Sequence, residues 1–298
     1  MSRLGRLRRS LVNKTLGVDL QLMEARLAQT AGWQATLDHI ERGIAAQREL
    51  LRRERDGLPT VVEGLAALRL SPEYEAAFGE VEPLVSVRIA SYRKTDELMD
   101  VAIRSVLDQT YQNFEIIVIN DGPNKRTRKA IARLDDPRIH YEEFAERTRY
   151  PSDAHARWMV AGSPGMNRGA DLARGVWVAP LDDDDAFTPD HLEKLLALAR
   201  RKHVELAYGA LTQHNMVTDT DVRIWSSPPA ISQFSFQGAI YLRLLHSIFR
   251  YDESSWLVNE PGDWNLIRRM SAAGVTMAAT PDVVATMYQM PYTHKDAD

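Results

Sequence analysis

The stretch Gly175–Arg200, GVWVAPLDDDDAFTPDHLEKLLALAR, decides the fold. It opens with an apolar run, VWVAPL, of the length and composition of a buried strand. Thr188 suits an N-cap, Pro189 the first helical position and Asp190 the first turn, so a helix follows. Leu192, Leu195, Leu196 and Ala199 form its core-facing stripe. Between strand and helix stand four consecutive aspartates, Asp182 to Asp185. In an α/β sheet that position lies beyond a strand's carboxyl end, where ligands bind. If the extended backbone continues, Asp182 and Asp184 face one side, and Asp183 and Asp185 the other. Carboxylates crowded in a cleft raise one another's pKa unless a cation relieves them. Oxygen ligands suit a hard divalent ion such as Mg²⁺ or Mn²⁺. The plain alternative is a solvated acidic loop. A calcium loop is excluded, because Phe187 stands where its glycine belongs and Pro189 interrupts it.

The chain around this stretch alternates strand and helix. LVSVRIA (84–90), EIIVIN (115–120), RIHYEE (138–143) and VELAYG (204–209) read as strands. TDELMDVAIRSVLDQT (95–110), Lys125–Arg133 and SPGMNRGADLA (163–173) read as helices. This alternation implies an α/β fold with parallel strands. The texture before Pro83 differs. Residues up to about Leu70 read as helix, with Trp33, Leu37, Ile40, Ile44 and Leu51 near heptad spacing. Gly57, Leu58 and Pro59 are expected to end that helix. A helical hairpin packed on the main domain is preferred over a short coiled coil that makes a homo-oligomer. The chain thus divides into a helical extension (1–80), an α/β half (81–225) and a second half (226–298).

Composition sets the outer limits. The 298 residues carry a net charge of −4, against the basic balance of a general nucleic-acid binder. Cysteine is absent, which excludes disulfides, thiolate metal sites and cysteine nucleophiles. No apolar run approaches bilayer length. The first 18 residues are basic but lack the apolar core of a signal peptide. A cytoplasmic protein is expected. Arg3, Arg6, Arg8, Arg9 and Lys14 alternate with Leu4, Leu7, Leu11 and Val12, a pattern suited to peripheral contact with an anionic membrane face.

Three quoted stretches together carry a resemblance. They are PLVSVRIASYRKTDELMDVAIRSVLDQTYQNFEIIVINDG (83–122), GMNRGADLARGVWVAPLDDDDAFTPDHLEKL (165–195) and YDESSWLVNEPGDWNLIRRM (251–270). The chain from about Pro83 to Tyr288 resembles the family 2 glycosyltransferases. Their A-type fold is a Rossmann-like mixed sheet flanked by helices, with an Asp-x-Asp metal motif. The resemblance implies inverting sugar transfer from a nucleotide diphosphate sugar, UDP- or dTDP-linked, to a saccharide or lipid-linked hydroxyl acceptor, with Mn²⁺ or Mg²⁺ as cofactor.

The same resemblance implies residue roles. Ala90 and Tyr92 line the base pocket, and Asp121 holds the base. An acceptor-only carboxylate suits the N3–H of uracil or thymine, which cytosine lacks. Asp184 is the principal metal ligand. Asp182 and Asp183 lie near the ribose and the metal's water shell, with Asp182 as a second ligand. Asn167 and Gly169 match an Asn-x-Gly helix. Asp263 is the catalytic base, with Glu260 as rival, and a plain N-cap is the alternative role for Asp263. The sequence departs from the family at two points. Ala90-Ser91-Tyr92 stands where Pro-Thr-Tyr is common, and Gly165-Met166 where Ala-Arg precedes the Asn. Arg147, ahead of Arg149 and Arg157, is expected to supply the missing phosphate cation. A degenerate nucleotide-diphosphate-binding scaffold is the alternative function.

Overall fold

A computed structural model describes residues 20–289. The basic segment 1–18 lies outside the described residues. The chain separates into two units, Met1–Arg53 and Glu54–Asp298. No helix among the described residues is long and apolar enough to cross a membrane.

Helix α1 runs without interruption over Leu20–Arg69, so neither the expected hairpin nor the stop at Gly57–Pro59 is present. Pro59 inside a helix removes one backbone hydrogen bond and costs about 3 kcal/mol. Leu58, Val61, Leu65 and Leu68 recur every three or four residues beside it and pack on the core of the second unit. Their burial offsets the proline. In the first unit the heptad residues Trp33, Leu37, Ile40, Ile44 and Leu51 are all exposed. At the end of α1, the Arg69 guanidinium grips the buried Glu205 carboxylate at 2.7 and 2.8 Å. Helix α2 (Pro72–Gly79) then lays Tyr74 and Phe78 into the core, Phe78 edge-on to Trp177.

The second unit is a nine-stranded mixed sheet in the order β3-β2-β1-β4-β8-β6-β9-β5, with β7 beside β6. Strands β1 (Val85–Ser91), β2 (Phe114–Asn120), β3 (Ile139–Glu143) and β4 (Trp177–Asp182) are parallel. Buried on both faces, β1, β2 and β4 read as near-continuous apolar runs. Helix α3 (residues 95–107), wound as a π-helix over Leu98–Ile103, connects β1 to β2, and α4 (Lys125–Leu134) connects β2 to β3. Helices α5 (Ala154–Val160) and α6 (Ser163–Leu172) lead back to β4.

The chain therefore runs outward from β1 to β3 and returns to β4 on β1's other side. This reversal opens a crevice beyond the carboxyl ends of β1 and β4. The register is specific: Ala90 pairs with Ile119 on one side and with Asp182 on the other. Asp121 and Tyr92 each lie one residue past the ladder, so the ends of three strands face one cleft.

After the two-residue β5 (Ala186–Phe187), helix α7 spans His191–Lys202 with Asp190 at the N-cap, two residues later than the sequence suggested. Thr188 instead bonds Asp190 Oδ1 at 2.9 Å. Strands β6 (Leu206–Asn215), β7 (Thr220–Ile224), β8 (Ala239–Leu242) and β9 (Met277–Gln289) complete the sheet, and α8 (Gly262–Ala272) precedes β9. β8 runs antiparallel to β4 and β6. That pairing brings the Phe236–Gly238 turn against the aspartates.

Leu65 is 1% exposed within this core. Leu65→Ala is expected to lower unfolding stability by about 2–5 kcal/mol in urea titration, the usual cost of a buried leucine cavity.

Candidate active site

One end of the cleft is built on the loops after β1 and β2. Asp121 is buried, and its carboxylate accepts the Thr148 N–H and the Tyr150 hydroxyl, both at 2.8 Å. Burial and the Asp121 charge together raise the Tyr150 pKa, so this hydroxyl stays a donor. Each Asp121 oxygen then keeps one lone pair for a ligand N–H. Gly122 has φ +95°, and a side chain there would meet the Arg147 amide at 3.1 Å. The glycine lets the 147–150 segment close on Asp121. The Arg147 guanidinium lies 4.2 Å from the centre of the Tyr92 ring, and that of Arg93 lies 5.0 Å away. Ala90, Tyr92, Asp121, Arg147, Arg157 and Asp182–Asp184 line one cavity of about 360 Å³. Arg149 is not in its lining.

The expected alternation does not hold: the extended backbone ends at Asp182, and Asp183 and Asp184 form a turn closed by the Asp185 N–H on the Asp182 carbonyl at 3.4 Å, so Asp182 and Asp185 share Gln237 while Asp183 and Asp184 share Lys94. Asp183 and Asp185 are buried, while Asp182 and Asp184 are half-buried. Asp183 accepts the Tyr92 N–H at 3.1 Å. Asp184 accepts the Lys94 ammonium at 2.5 Å. Asp185 accepts the Tyr288 N–H at 2.8 Å and the Gln237 amide at 3.0 Å. The same Gln237 amide donates to Asp182. Burial, and next the charge of Asp185, raises the Asp182 pKa well above the usual carboxylate range. Burial pushes Asp183 to about 7, with Lys94 opposing and Asp184 reinforcing. Burial and Asp184 push Asp185 to about 7 as well.

This donor set fits a divalent ion, because it is all oxygen and its negative charge is under-compensated. Among the described residues no three acidic or histidine side chains form a closed metal site. An ion held by Asp184 and Asp182 would draw its other ligands from water and from a diphosphate.

Asp263 lies in the first turn of α8, where Pro261 holds the N-cap position. Its carboxylate does not cap the helix. Oδ2 accepts the Phe236 N–H at 2.9 Å and the Ser235 hydroxyl at 2.5 Å, and Oδ1 accepts the Tyr251 hydroxyl at 2.8 Å. One lone pair therefore stays open on Oδ1. Asp263, Asp182, Gln237 and Tyr251 line a second cavity of about 380 Å³, whose walls include Trp158, Phe234 and Trp264. Trp158, Met166 and Asp182 line both cavities, so the two adjoin.

Asn167 does not line either cavity. Its buried amide exchanges two hydrogen bonds, of 2.9 and 3.0 Å, with the backbone of Tyr251. Gly169 leaves room for Arg88, whose Cβ would be 3.1 Å from a side chain at that position. Arg88 is 1% exposed, and its guanidinium lies 5.1 Å from the centre of the Tyr251 ring. The Asn-x-Gly helix thus fixes Tyr251, and Tyr251 fixes Asp263. Glu260 is held elsewhere: Arg268 binds both its oxygens at 2.8 and 2.7 Å, and Asn265 adds a third bond. It is absent from the cavity that contains Asp263.

With this geometry, the comparisons can be read. The profile of glycosyl transferase family 2 matches residues 86–272. The chain belongs to glycosyltransferase family 2. A putative teichuronic acid biosynthesis glycosyltransferase of Bacillus subtilis, TuaG, is 32% identical over 39% of this chain and 41% of its own length. Escherichia coli WfgD, a UDP-Glc:alpha-D-GlcNAc-diphosphoundecaprenol beta-1,3-glucosyltransferase, is 30% identical over 42% of this chain and 45% of its own. The chain thus spans less than half the length of these relatives. Among solved structures, S. aureus TarS 1–349 in complex with UDP-GlcNAc shares the fold with a TM-score of 0.54 and 12% identity, over 72% of this chain and 61% of that one.

Sequence reasoning missed Lys94, Tyr150, Ser235, Gln237 and Tyr251. Only Lys94 gave a signal, as a cation next to Arg93, three residues past the end of a strand that faces the aspartates.

The raised Asp183 pKa has a definite linkage. The folded state holds this proton more tightly than the unfolded chain. Its contribution to stability is complete below the unfolded value of about 4 and is withdrawn as pH rises through about 7. In EDTA, Asp183→Asn is expected to melt above wild type at pH 8 and to lose that advantage at pH 5, measured by scanning calorimetry.

Proposed function

We propose that the protein transfers a sugar, with inversion, from a UDP- or dTDP-sugar to a hydroxyl acceptor in polysaccharide or glycoconjugate synthesis, assisted by Mn²⁺ or Mg²⁺. The observation that carries this reading is the convergence of Asp121, Asp182–Asp184 and Asp263 on two adjoining cavities at the β1/β4 reversal. The UDP-GlcNAc complex of TarS and the glucosyltransferase activity of WfgD on a diphosphoundecaprenol-linked sugar support a uridine donor and a lipid-linked acceptor.

In this reading Asp121 accepts the base N3–H, and Arg147 and Arg157 face the diphosphate. Asp184 and Asp182 hold the divalent ion. When bound, that ion neutralises charge developing on the leaving diphosphate. The acceptor oxygen attacks the anomeric carbon from the side opposite the diphosphate. As that bond forms and the sugar–phosphate bond breaks, the open lone pair of Asp263 Oδ1 takes the acceptor's proton. Tyr251, Ser235 and the Phe236 amide keep the carboxylate from turning away. Glu260, paired with Arg268, is a poor base by comparison.

Two experiments test this. UDP and dTDP should raise the melting temperature more than CDP, and only with Mn²⁺ or Mg²⁺ present, because each binds the folded state alone. An equal shift with CDP removes the role given to Asp121. Asp263→Asn should bind UDP and Mn²⁺ as wild type does, yet lose about 10²–10⁴-fold in acceptor-dependent UDP release. Glu260→Gln should retain that rate. Near-wild-type transfer by Asp263→Asn excludes it as the base.

A further inference from the structure

Lys94 stands where no motif predicts a cation. Its ammonium lies 2.5 Å from Asp184 Oδ2 and 3.9 Å from Asp183 Oδ1. The partners differ in freedom: the Lys94 side chain is 42% exposed, against 16% for Asp184 and 11% for Asp183. The carboxylates are fixed in the cleft, and the ammonium reaches in from its mouth on a stem of four flexible bonds. Arg93, the residue before it, has φ +61°, a left-handed conformation that costs energy in a non-glycine residue and that clusters at functional sites. That turn directs Lys94 back over the strand end. Lys94 also lines the same cavity as Arg147 and Arg157.

An ammonium and a divalent ion cannot both bond Asp184 at close range without strong repulsion. We infer that Lys94 is a resident competitor for the metal: it neutralises Asp184 in the empty cleft and moves to the donor's diphosphate when the ion takes the carboxylate. This rests on the reading of Asp184 as a metal ligand. The consequence is coupling. A metal arriving alone must expel Lys94 into water, whereas a metal arriving with a diphosphate finds a new partner for the displaced ammonium. Metal and nucleotide therefore bind cooperatively, and each strengthens the other by the same factor.

The test measures Mn²⁺ dissociation constants by the EPR signal of the free ion, with and without saturating UDP. Wild type, Lys94→Met and Lys194→Met are compared. Methionine keeps the stem of Lys94 and removes its charge. In Lys94→Met, Mn²⁺ affinity without UDP should rise about tenfold, and the enhancement by UDP should shrink at least about fivefold, within the usual range of coupling between sites. Lys194→Met removes a lysine charge on α7 that pairs with Asp190 and lines neither cavity, and it should leave the enhancement unchanged. Equal enhancement in wild type and Lys94→Met overturns the inference. An equal loss in both variants also overturns it, because general electrostatics then suffices. Absence of Mn²⁺ binding by wild type even with UDP overturns the metal reading itself and the inference with it.

Discussion

Four carboxylates at one strand end cannot all be ionised in a cleft that excludes water, unless positive charge or donors meet each of them. Much of the second unit serves that constraint. The β1/β4 register sets Asp182 beside Ala90, and the Tyr92 amide on the neighbouring strand end reaches Asp183. The antiparallel return of β8 brings in Gln237, whose amide serves Asp182 and Asp185 together. The last strand closes on Asp185 through the Tyr288 amide. Lys94 is the cation paired with Asp184. Even so, Asp182, Asp183 and Asp185 stay protonated more readily than free aspartates. The cleft is thus arranged to gain from a cation.

The Asp263 side of the cleft rests on a second chain of contacts. Asn167 and Gly169 are one structural device. The amide holds the Tyr251 backbone, and the missing side chain admits Arg88 beneath the Tyr251 ring. A buried arginine facing an aromatic ring and a buried tyrosine hydroxyl on a carboxylate form a stiff support for Asp263. The Asn-x-Gly motif therefore links the helix before β4 to the start of α8 without touching either cavity.

The parallel half of the fold was legible because β1, β2 and β4 are buried on both faces and its helices are amphipathic. The aspartates were legible because VWVAPL reads as a buried strand, and the carboxyl end of such a strand lies on the ligand side of an α/β sheet. What could not be read depends on distant pairing. Tyr251 meets Asn167 across 84 residues, and Gln237 meets Asp185 across 52. The Asn-x-Gly match marks Asn167 in the sequence but not the Tyr251 backbone that it holds. Glu260 looked like a rival base until Arg268 appeared beside it. The stop at Pro59 failed because Leu65 and its neighbours gain more from the core than the proline removes. β9 was hidden by Pro281, which sits where the β6/β9 register jumps from Gly209↔Thr280 to Ala210↔Val283. A bulge of this kind is where a strand tolerates proline.

The central claim is that one crevice at the β1/β4 reversal holds the nucleotide between Asp121 and the aspartates and presents the sugar toward Asp263. A crystal structure with UDP and Mn²⁺ tests it most directly. The account predicts the uracil N3–H on Asp121, the Mn²⁺ coordinated by Asp184 and the β-phosphate, and the β-phosphate on the Asp263 side of Asp182. A nucleotide bound elsewhere, or one seated here with Asp184 still paired to Lys94 and no metal on the aspartates, would contradict it.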